Sequence, residues 1–216
     1  MMKRFSWRLS ILAVALAASA GSASAHTTNC TGVLNTGTYD NVNVPAGKTC
    51  SLRFGTNVTV TGNVTVEAGA SLEVPRGFGP PIFLVVYGSL LSTDAAAIVL
   101  FAGNIPPVNV SILGSVLLTG EKSGGTNEIA IIDAFIGGNL SIVDSNLSSG
   151  LFEVSHNGVA GNVLVQNNTS GSTAVISNNA IGGSLVCVGN TPAPYTPPPN
   201  DKNTIGGNAV GQCAGF

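Results

Sequence analysis

Apolar and polar residues alternate along most of this 216-residue chain, and one short pattern recurs at regular intervals. The pattern is a β-branched residue, any residue, glycine, Asn or Ser, and then an aliphatic residue, which the last copy replaces with Ala. Seven copies begin at Val60, Val86, Ile112, Ile136, Val159, Ile181 and Ile205. Intervals of 22 to 26 residues are too regular for chance and too short for separate domains. The chain is therefore predicted to form one solenoid.

The residue types predict that the repeats are built from strands. Val, Ile, Thr, Asn and Gly dominate, whereas helical repeats need Ala, Leu, Glu and Lys at a spacing of about 3.6 residues. The aliphatic residues two and four positions after each repeat glycine are expected to face inward, as Val163 and Val165 do in one copy. A second inward strand precedes the turn, for example at Phe152 and Val154. The predicted fold is all-β, a parallel β-helix of about eight coils.

The repeat glycine is predicted to adopt positive φ at a tight corner where a Cβ atom would clash. The Asn or Ser beside it can hydrogen-bond the equivalent residue one coil away. A second ladder is expected at another corner from Asn157, Asn179 and Asn203, each two residues before a repeat. The glycines concerned are Gly62, Gly88, Gly114, Gly138, Gly161, Gly183 and Gly207.

The first 25 residues have the organisation of a signal peptide. A basic leader, a short apolar stretch and a small-residue cleavage site precede His26, where the mature chain is predicted to begin. The rest, 26–216, is predicted to be a single β-helix domain, with an irregular cap and first coil at 26–59 and a Pro-rich loop and cap coil at 191–216. No later apolar stretch is long enough for a transmembrane segment. The product is expected to be periplasmic, on the cell surface or extracellular.

The four cysteines are predicted to form two disulfides, because an even count in an exported chain favours cystine over metal or redox chemistry. Aligning the first coil with its neighbour places Cys50 at the position of Leu72, with Cys30 nearby at the start of the stack. Cys187 and Cys213 are separated by about one repeat. We expect Cys30 to pair with Cys50 and Cys187 with Cys213, which would tie down both terminal coils.

Several segments resemble one group of known proteins. They are GTYDNVNVPAGKTCSL near the start, VTGNVTVEAGASLEV in the first full copy, and the endings IGGSLVCVGN and IGGNAVGQC. Together they resemble exported bacterial right-handed parallel β-helix proteins over nearly all of the mature chain. The resemblance implies the fold and almost no chemistry, because the matching positions are glycines, aliphatic residues and cysteines. A looser resemblance links the repeats to bactofilins, which are cytoplasmic and lack an export signal and cysteines.

Charge and composition argue against most catalytic functions. Removing the leader leaves ten acids but only five bases, a net charge of about −5, which disfavours anionic substrates and nucleic acid. The residues three positions before successive repeats form a polar column of Asn109, Asp133, His156, Asn178 and Lys202. Asp133 and His156 lie one coil apart and are the weak candidates for catalysis. No cofactor and no metal site are predicted.

The best candidate for a binding surface is a row of outward-facing residues between the inward aliphatics. The apolar members are Leu91, Leu117, Leu164, Val186 and Val210, with Thr65 and Ser141 as the polar ones. An exposed apolar stripe is typical of association with a protein partner or a second copy. The alternative is that the Pro-rich loop at 191–200 or the loop at 121–127 covers part of it.

These observations predict a non-catalytic exported protein with a structural, binding or adhesin-like role. Its expected partners are another protein, a second copy or a surface glycan. The alternative is a carbohydrate-active β-helix enzyme of the polysaccharide lyase or hydrolase type, a common function of parallel β-helices.

Overall fold

A computed structural model describes residues 25–75, 79–101, 109–122, 128–147, 150–172, 174–197 and 201–216, with the side chain of Asn109 excepted. The predicted signal peptide lies outside these residues except for its last position. Every regular element in the described residues is a β-strand, and all strand pairs are parallel. The chain winds into a β-solenoid with a repeat of about 24 residues.

Three parallel sheets form the sides of the solenoid, and each successive strand of a sheet comes from the next coil. Sheet A has nine strands: Thr27–Asn29, Asn41–Val44, Val64–Val66, Leu90–Thr93, Val116–Thr119, Leu140–Val143, Val163–Gln166, Leu185–Val188 and Ala209–Gly211. Sheet B has six strands: Thr49–Ser51, Ser71–Val74, Ala97–Phe101, Glu128–Ile132, Leu151–Ser155 and Val175–Ser177. Sheet C has eight strands: Gly37–Tyr39, Asn57–Val60, Phe83–Val86, Asn109–Ile112, Phe135–Ile136, Gly158–Val159, Ala180–Ile181 and Thr204–Ile205. A small pair joins Asn146–Leu147 to Thr169–Ser170.

The register between coils follows the sequence repeat. Val116 pairs with Leu140 and Leu118 with Ile142 on sheet A, and both partners of each pair are buried. The second inward strand is also confirmed, since Phe152 and Val154 are buried on sheet B. The inward aliphatics form one continuous core that runs the length of the stack. Each coil therefore buries its apolar side chains against the coils above and below it, and needs those neighbours for stability.

The solenoid has about seven turns, so the prediction of about eight was slightly too high. The stack is incomplete on sheet B at both ends, where Val33 and Tyr195 contribute only isolated bridges. The last coil adds Thr204–Ile205 to sheet C and Ala209–Gly211 to sheet A, and adds no strand to sheet B. Seven repeat copies and the irregular first coil gave the predicted eight, a count that includes coils without a strand on every side.

Both disulfides join the predicted pairs. Cys30 and Cys50 are linked with a Cα separation of 5.3 Å, and Cys187 and Cys213 are linked at the same separation. The alignment behind the first pair is confirmed, because Cys50 lies opposite Leu72 on sheet B. Cys50, Cys187 and Cys213 have no exposed surface. The bonds tie the first and last coils to the stack, and disulfides of this kind are typical of an oxidising compartment.

The prediction of positive φ at the repeat glycines is wrong, although their need for glycine is confirmed. None of the seven has φ in the left-handed region. The cause is close approach between coils: a Cβ on Gly114 would lie 2.5 Å from the carbonyl oxygen of Gly88. Gly88 faces Gly62 in the same way. The corner is narrow because backbones of adjacent coils touch, and only glycine leaves enough room.

Candidate functional site

The predicted apolar stripe exists as a continuous row on the outer face of sheet A. Leu91 lies opposite Leu117, Leu164 opposite Val186, and Val186 opposite Val210. Ser141 lies between Leu117 and Leu164 and is the one polar interruption. The side chains of Leu117 and Val210 are 42% and 46% exposed, and the other three apolar members are half-buried. At about 4.8 Å per coil, the row from Leu91 to Val210 is roughly 24 Å long.

The described part of the Pro-rich segment does not cover this stripe. Thr191 pairs with Thr169, and Tyr195 pairs with Val175 at the edge of sheet B. The backbone N–H of Ile176 also donates to the Tyr195 carbonyl. The segment therefore adds the next rung beside sheet B, on a different side of the solenoid from the stripe. Of the other loop proposed as a cover, residues 123–127 lie outside the described residues.

A shallow depression lies at the N-terminal end of the stripe, with Leu91 in its lining. Two acids border it. The carboxylate of Glu67 accepts hydrogen bonds from the Asn43 amide and the Ala46 backbone, and Asp94 forms an ion pair of 2.8 Å with Lys122. Both acids are thus held by residues of their own or neighbouring coils. Glu67 and the Asp94–Lys122 ion pair give the stripe a polar rim at this end.

Sheet C carries a second exposed apolar cluster that the sequence analysis did not identify. Tyr87, Leu113 and Phe135 are among the most exposed large apolar side chains of the described residues. They come from three consecutive coils: Phe135 lies on sheet C, and Tyr87 and Leu113 directly follow the strands of that sheet in the two preceding coils. The ring of Phe135 lies beside Gly158. The outward positions of this sheet could have been read from the repeat in the same way as those of sheet A.

The polar column that contains the catalytic candidates is confirmed in its register. The Asp133 N–H donates to the Ser155 carbonyl, so Asp133 lies beside His156 in the next coil. His156 and Asn178 are related in the same way, and the Asn178 N–H donates to the carbonyl that precedes Lys202. Asn109 begins a strand of sheet C.

The backbone explains why these residue types occur in the column. Asp133, His156 and Asn178 have φ values of 57°, 59° and 55°. Asp, Asn and His are the non-glycine residues most often found in this left-handed region. Their presence therefore follows from a corner that needs positive φ in each coil.

The side chains of this column interact mainly with one another. The Nε2 atom of His156 is 3.2 Å from the Asn178 amide nitrogen, which also donates to the Asp201 carboxylate at 3.1 Å. Partial burial raises the pKa of Asp133, the charge of His156 lowers it, and the charge of Glu153 raises it. The column places the Asp133 carboxylate beside the His156 imidazole at an exposed corner, with the carboxylates of Glu153 and Asp201 nearby.

A buried residue follows the left-handed position in each coil, and in the C-terminal coils it is an amide. After His156 and Asn178 come Asn157 and Asn179, and the predicted ladder of Asn157, Asn179 and Asn203 is confirmed. The Asn157 amide donates to the Ile131 carbonyl at 2.7 Å, and its oxygen accepts from the Ala134 backbone at 2.9 Å. Each side chain thus supplies one donor and one acceptor to neighbouring coils.

A second ladder follows sheet A at the opposite corner, and the sequence analysis missed it. Here Asn168, Asn190 and Gln212 stack in the same manner. A left-handed residue again precedes each of them, as Asn167 does at φ 54°. The doublet of a left-handed residue and a buried amide is a sequence signal that could have revealed both ladders.

One member of this second column is an acid. Glu121 is 1% exposed. The backbone N–H of Lys122 donates to the Ala95 carbonyl, and the backbone N–H of Asn146 donates to the Glu121 carbonyl. These bonds place Glu121 in register with Ser145 and Asn168. Among the described residues, the buried side-chain atoms without a well-formed hydrogen bond are both carboxyl oxygens of Glu121 and the hydroxyl of Ser92. Burial raises the pKa of Glu121 to about 7.

No protein family model matches the chain, and no curated protein or solved structure is significantly similar to it. Its resemblance to exported bacterial β-helix proteins therefore stays a prediction, whereas the parallel β-solenoid follows from the strand register itself. Over the described ranges, no group of three or more His, Cys, Asp and Glu side chains could hold a metal ion. Among the residues with described structure, no helix has the length and apolar character needed to span a membrane.

Proposed function

We propose that the protein is a non-catalytic exported scaffold that associates through the apolar stripe on sheet A, with a second copy of itself as the partner. The observation that carries the proposal is the outward row from Leu91 to Val210, which is apolar except at Ser141 and has two members that are more than two-fifths exposed. A rigid stack of coils holds the row in place, so little conformational entropy is lost when the stripe is covered.

The geometry of the stripe favours a second copy. The row runs along the solenoid axis with Leu or Val at five of six positions from Leu91 onward. Two antiparallel copies therefore place apolar residues against apolar residues except at the centre, where Ser141 faces Leu164. The outer face of sheet A offers roughly 500 Å² per copy, from nine strands about 4.8 Å apart and about four residues wide. Stable dimers bury about 800 Å² per partner, so the expected association is weak and depends on high local concentration.

The non-catalytic part of the proposal is supported by the backbone roles of the candidate residues. Asp133 and His156 are accounted for by their left-handed φ, and the neighbouring amides are occupied in ladders between coils. Residues that form corners and link coils have a structural role, as expected for a scaffold. Export is supported by the two disulfides and by the leader predicted in the sequence.

Sedimentation of the oxidised mature protein tests the proposal. We expect the average mass to rise with concentration in the range of tens to hundreds of micromolar, as for other weak interfaces. The double variant L117S/L164S should remain monomeric over that range, because it places hydroxyl groups at the centre of the stripe.

The matched control is L113S/F135S, which removes comparable exposed apolar area from sheet C and should associate like the wild type. A wild-type protein that is strictly monomeric at millimolar concentration would overturn self-association. Loss of association in the sheet C variant alone would assign the contact to the other face.

A further inference from the structure

Glu121 occupies a position that amide side chains fill in the later coils. Asn168, Asn190 and Gln212 follow it in the same column, and each bonds to the coil before it. The Asn168 oxygen accepts from the Ser145 backbone at 3.0 Å, while its NH₂ group donates to the Ile142 carbonyl at 2.9 Å. In the coils that carry the amide ladder, this position therefore requires a side chain that both accepts and donates.

A neutral carboxylic acid meets this requirement and a carboxylate does not. The acid has one O–H donor and a carbonyl acceptor, the same pattern as the amide of glutamine, whereas the ionised group only accepts. Gln212 shows that a side chain of this length fits the column, since its Oε1 accepts from Asn190 N–H and its Nε2 donates to the Asn190 carbonyl. An ionised Glu121 would also place a charge in a site with 1% exposure.

We infer that Glu121 is a proton-dependent rung of this corner ladder, closed when its carboxyl group is neutral and loosened when that group ionises. The rung lies directly after the strand Val116–Thr119, which carries the stripe residue Leu117. Protonation thus controls how firmly one coil in the middle of the stack is held.

The groups around Glu121 compensate for ionisation only in part, through the Ser92 hydroxyl and the Ala95 and Thr119 backbone groups. Ser92 faces it from the preceding coil with a buried hydroxyl that has no well-formed hydrogen bond. Asp94 on the same coil repels it, and the neighbouring cation Lys122 is already paired with Asp94 at 2.8 Å and is 69% exposed. In the following coil, the acid at this corner is Asp144, which is exposed.

The sign of the pH dependence follows from these surroundings. Burial raises the pKa of Glu121 from 4.5 to about 7, and the charge of Asp94 adds a smaller increase. Hydrogen bonds from Ser92 and from the Ala95 and Thr119 backbone groups lower the pKa and oppose this shift. The folded state thus holds this proton more tightly than the unfolded state. Its stabilising effect is complete below about pH 4.5 and is lost as the pH rises through about 7.

The test compares urea unfolding of the oxidised mature wild type and E121Q at about pH 5 and about pH 8. Because glutamine keeps the donor and acceptor at every pH, only the wild type should lose the proton-linked stabilisation. Its unfolding equilibrium constant should rise roughly 50-fold more than that of E121Q over this range. The matched control D144N removes an exposed acid from the next coil and should keep the wild-type pH dependence.

Equal pH dependence in wild type and E121Q would overturn the inference. A second measurement applies even if E121Q fails to fold: the ¹³C shift of the Glu121 carboxyl carbon in the folded wild type should titrate with a midpoint near 7. A midpoint within the ordinary range for glutamate, below about 5, would also overturn it.

Discussion

The corner that follows sheet A is built differently in the two halves of the solenoid. In the N-terminal half it is a turn closed within its own coil, where the Lys48 N–H donates to the Pro45 carbonyl and the Ala70 N–H donates to the Glu67 carbonyl. In the C-terminal half the equivalent backbone N–H groups donate to the side chain of the next coil, as Ser145 does to Asn168. The first kind of corner also meets the next coil through its backbone, since the Gly47 N–H donates to the Ala68 carbonyl, whereas the second meets it through stacked amide side chains.

This difference shows two ways of satisfying the same backbone groups at a bend. Local turns need Gly at positive φ, as at Gly47 and Gly69, and leave small residues such as Ala70 inside. Amide ladders need a left-handed residue followed by a buried Asn, and they link each coil to the next by directed hydrogen bonds. Glu121 lies at the junction between the two, where the ladder begins without an amide. We therefore expect coils to be coupled more strongly through this corner in the C-terminal half.

The largest expected effect tests whether the difference is confined to this corner. Gly114 and Gly161 belong to the repeat corner between sheets C and A, which is the same in both halves. A Cβ would lie 2.5 Å from the Gly88 carbonyl oxygen in the first case and 2.7 Å from the Gly138 carbonyl oxygen in the second. G114A and G161A should therefore each lower the free energy of unfolding by about 3 kcal/mol or more, because adjacent coils must separate.

Urea unfolding followed by circular dichroism measures both glycine variants. The control is G47N, at a φ of 65° and with nothing within 4 Å of the added Cβ, which should cost under about 1 kcal/mol. A clearly smaller loss in G161A than in G114A would show that the repeat corner also differs between the halves.

An intermediate effect is expected from removing one rung of the ladder. N168A leaves the Ser145 N–H and the Ile142 carbonyl without the partners they have at 3.0 Å and 2.9 Å. Leaving buried polar groups unpaired should lower the unfolding free energy by about 2 to 3 kcal/mol. Urea unfolding of the oxidised mature protein at about pH 5 gives the value with Glu121 mostly neutral.

The matched control for this rung is the preceding residue. Asn167 is exposed, and the next coil has glycine at the equivalent left-handed position, Gly189. N167G should therefore cost under about 1 kcal/mol. If N167G costs as much as N168A, the left-handed corner rather than the amide ladder holds these coils together.

Much of the fold could be predicted because the repeat gives each residue a defined position within its coil. Counting from each β-branched anchor placed Val163 and Val165 inside, Leu164 outside and His156 beside Asp133, all as found. The disulfides followed because Cys50 occupies an inward position of known register. Positions fixed by the period of a strand are readable from one sequence.

The rest depends on distances between coils, which the sequence does not record. Gly114 must be glycine because the backbone of the neighbouring coil is close, not because its φ is positive. The sequence shows a glycine in either case, so it cannot distinguish the two causes. The sequence marks the doublet of Asn167 and Asn168, but the three-dimensional corner decides which of the two side chains is buried. Glu121 falls in a segment that reads as a charged loop, so its burial could not be inferred from composition.

The smallest expected effect isolates coupling between coils. Asn168 donates its amide to the Asn190 oxygen at 3.0 Å, so N168A and N190A remove parts of one network. Their double-mutant cycle should give an interaction energy of about 1 kcal/mol. Gly47 and Gly69 are the matched pair in the N-terminal half, where the turns are joined to the next coil through backbone hydrogen bonds. An added Cβ on Gly69 makes ordinary contact, at 3.8 Å, with the Gly47 nitrogen. G47A and G69A should add to within about 0.5 kcal/mol, and equal coupling in the two pairs would remove the distinction between local and stacked corners.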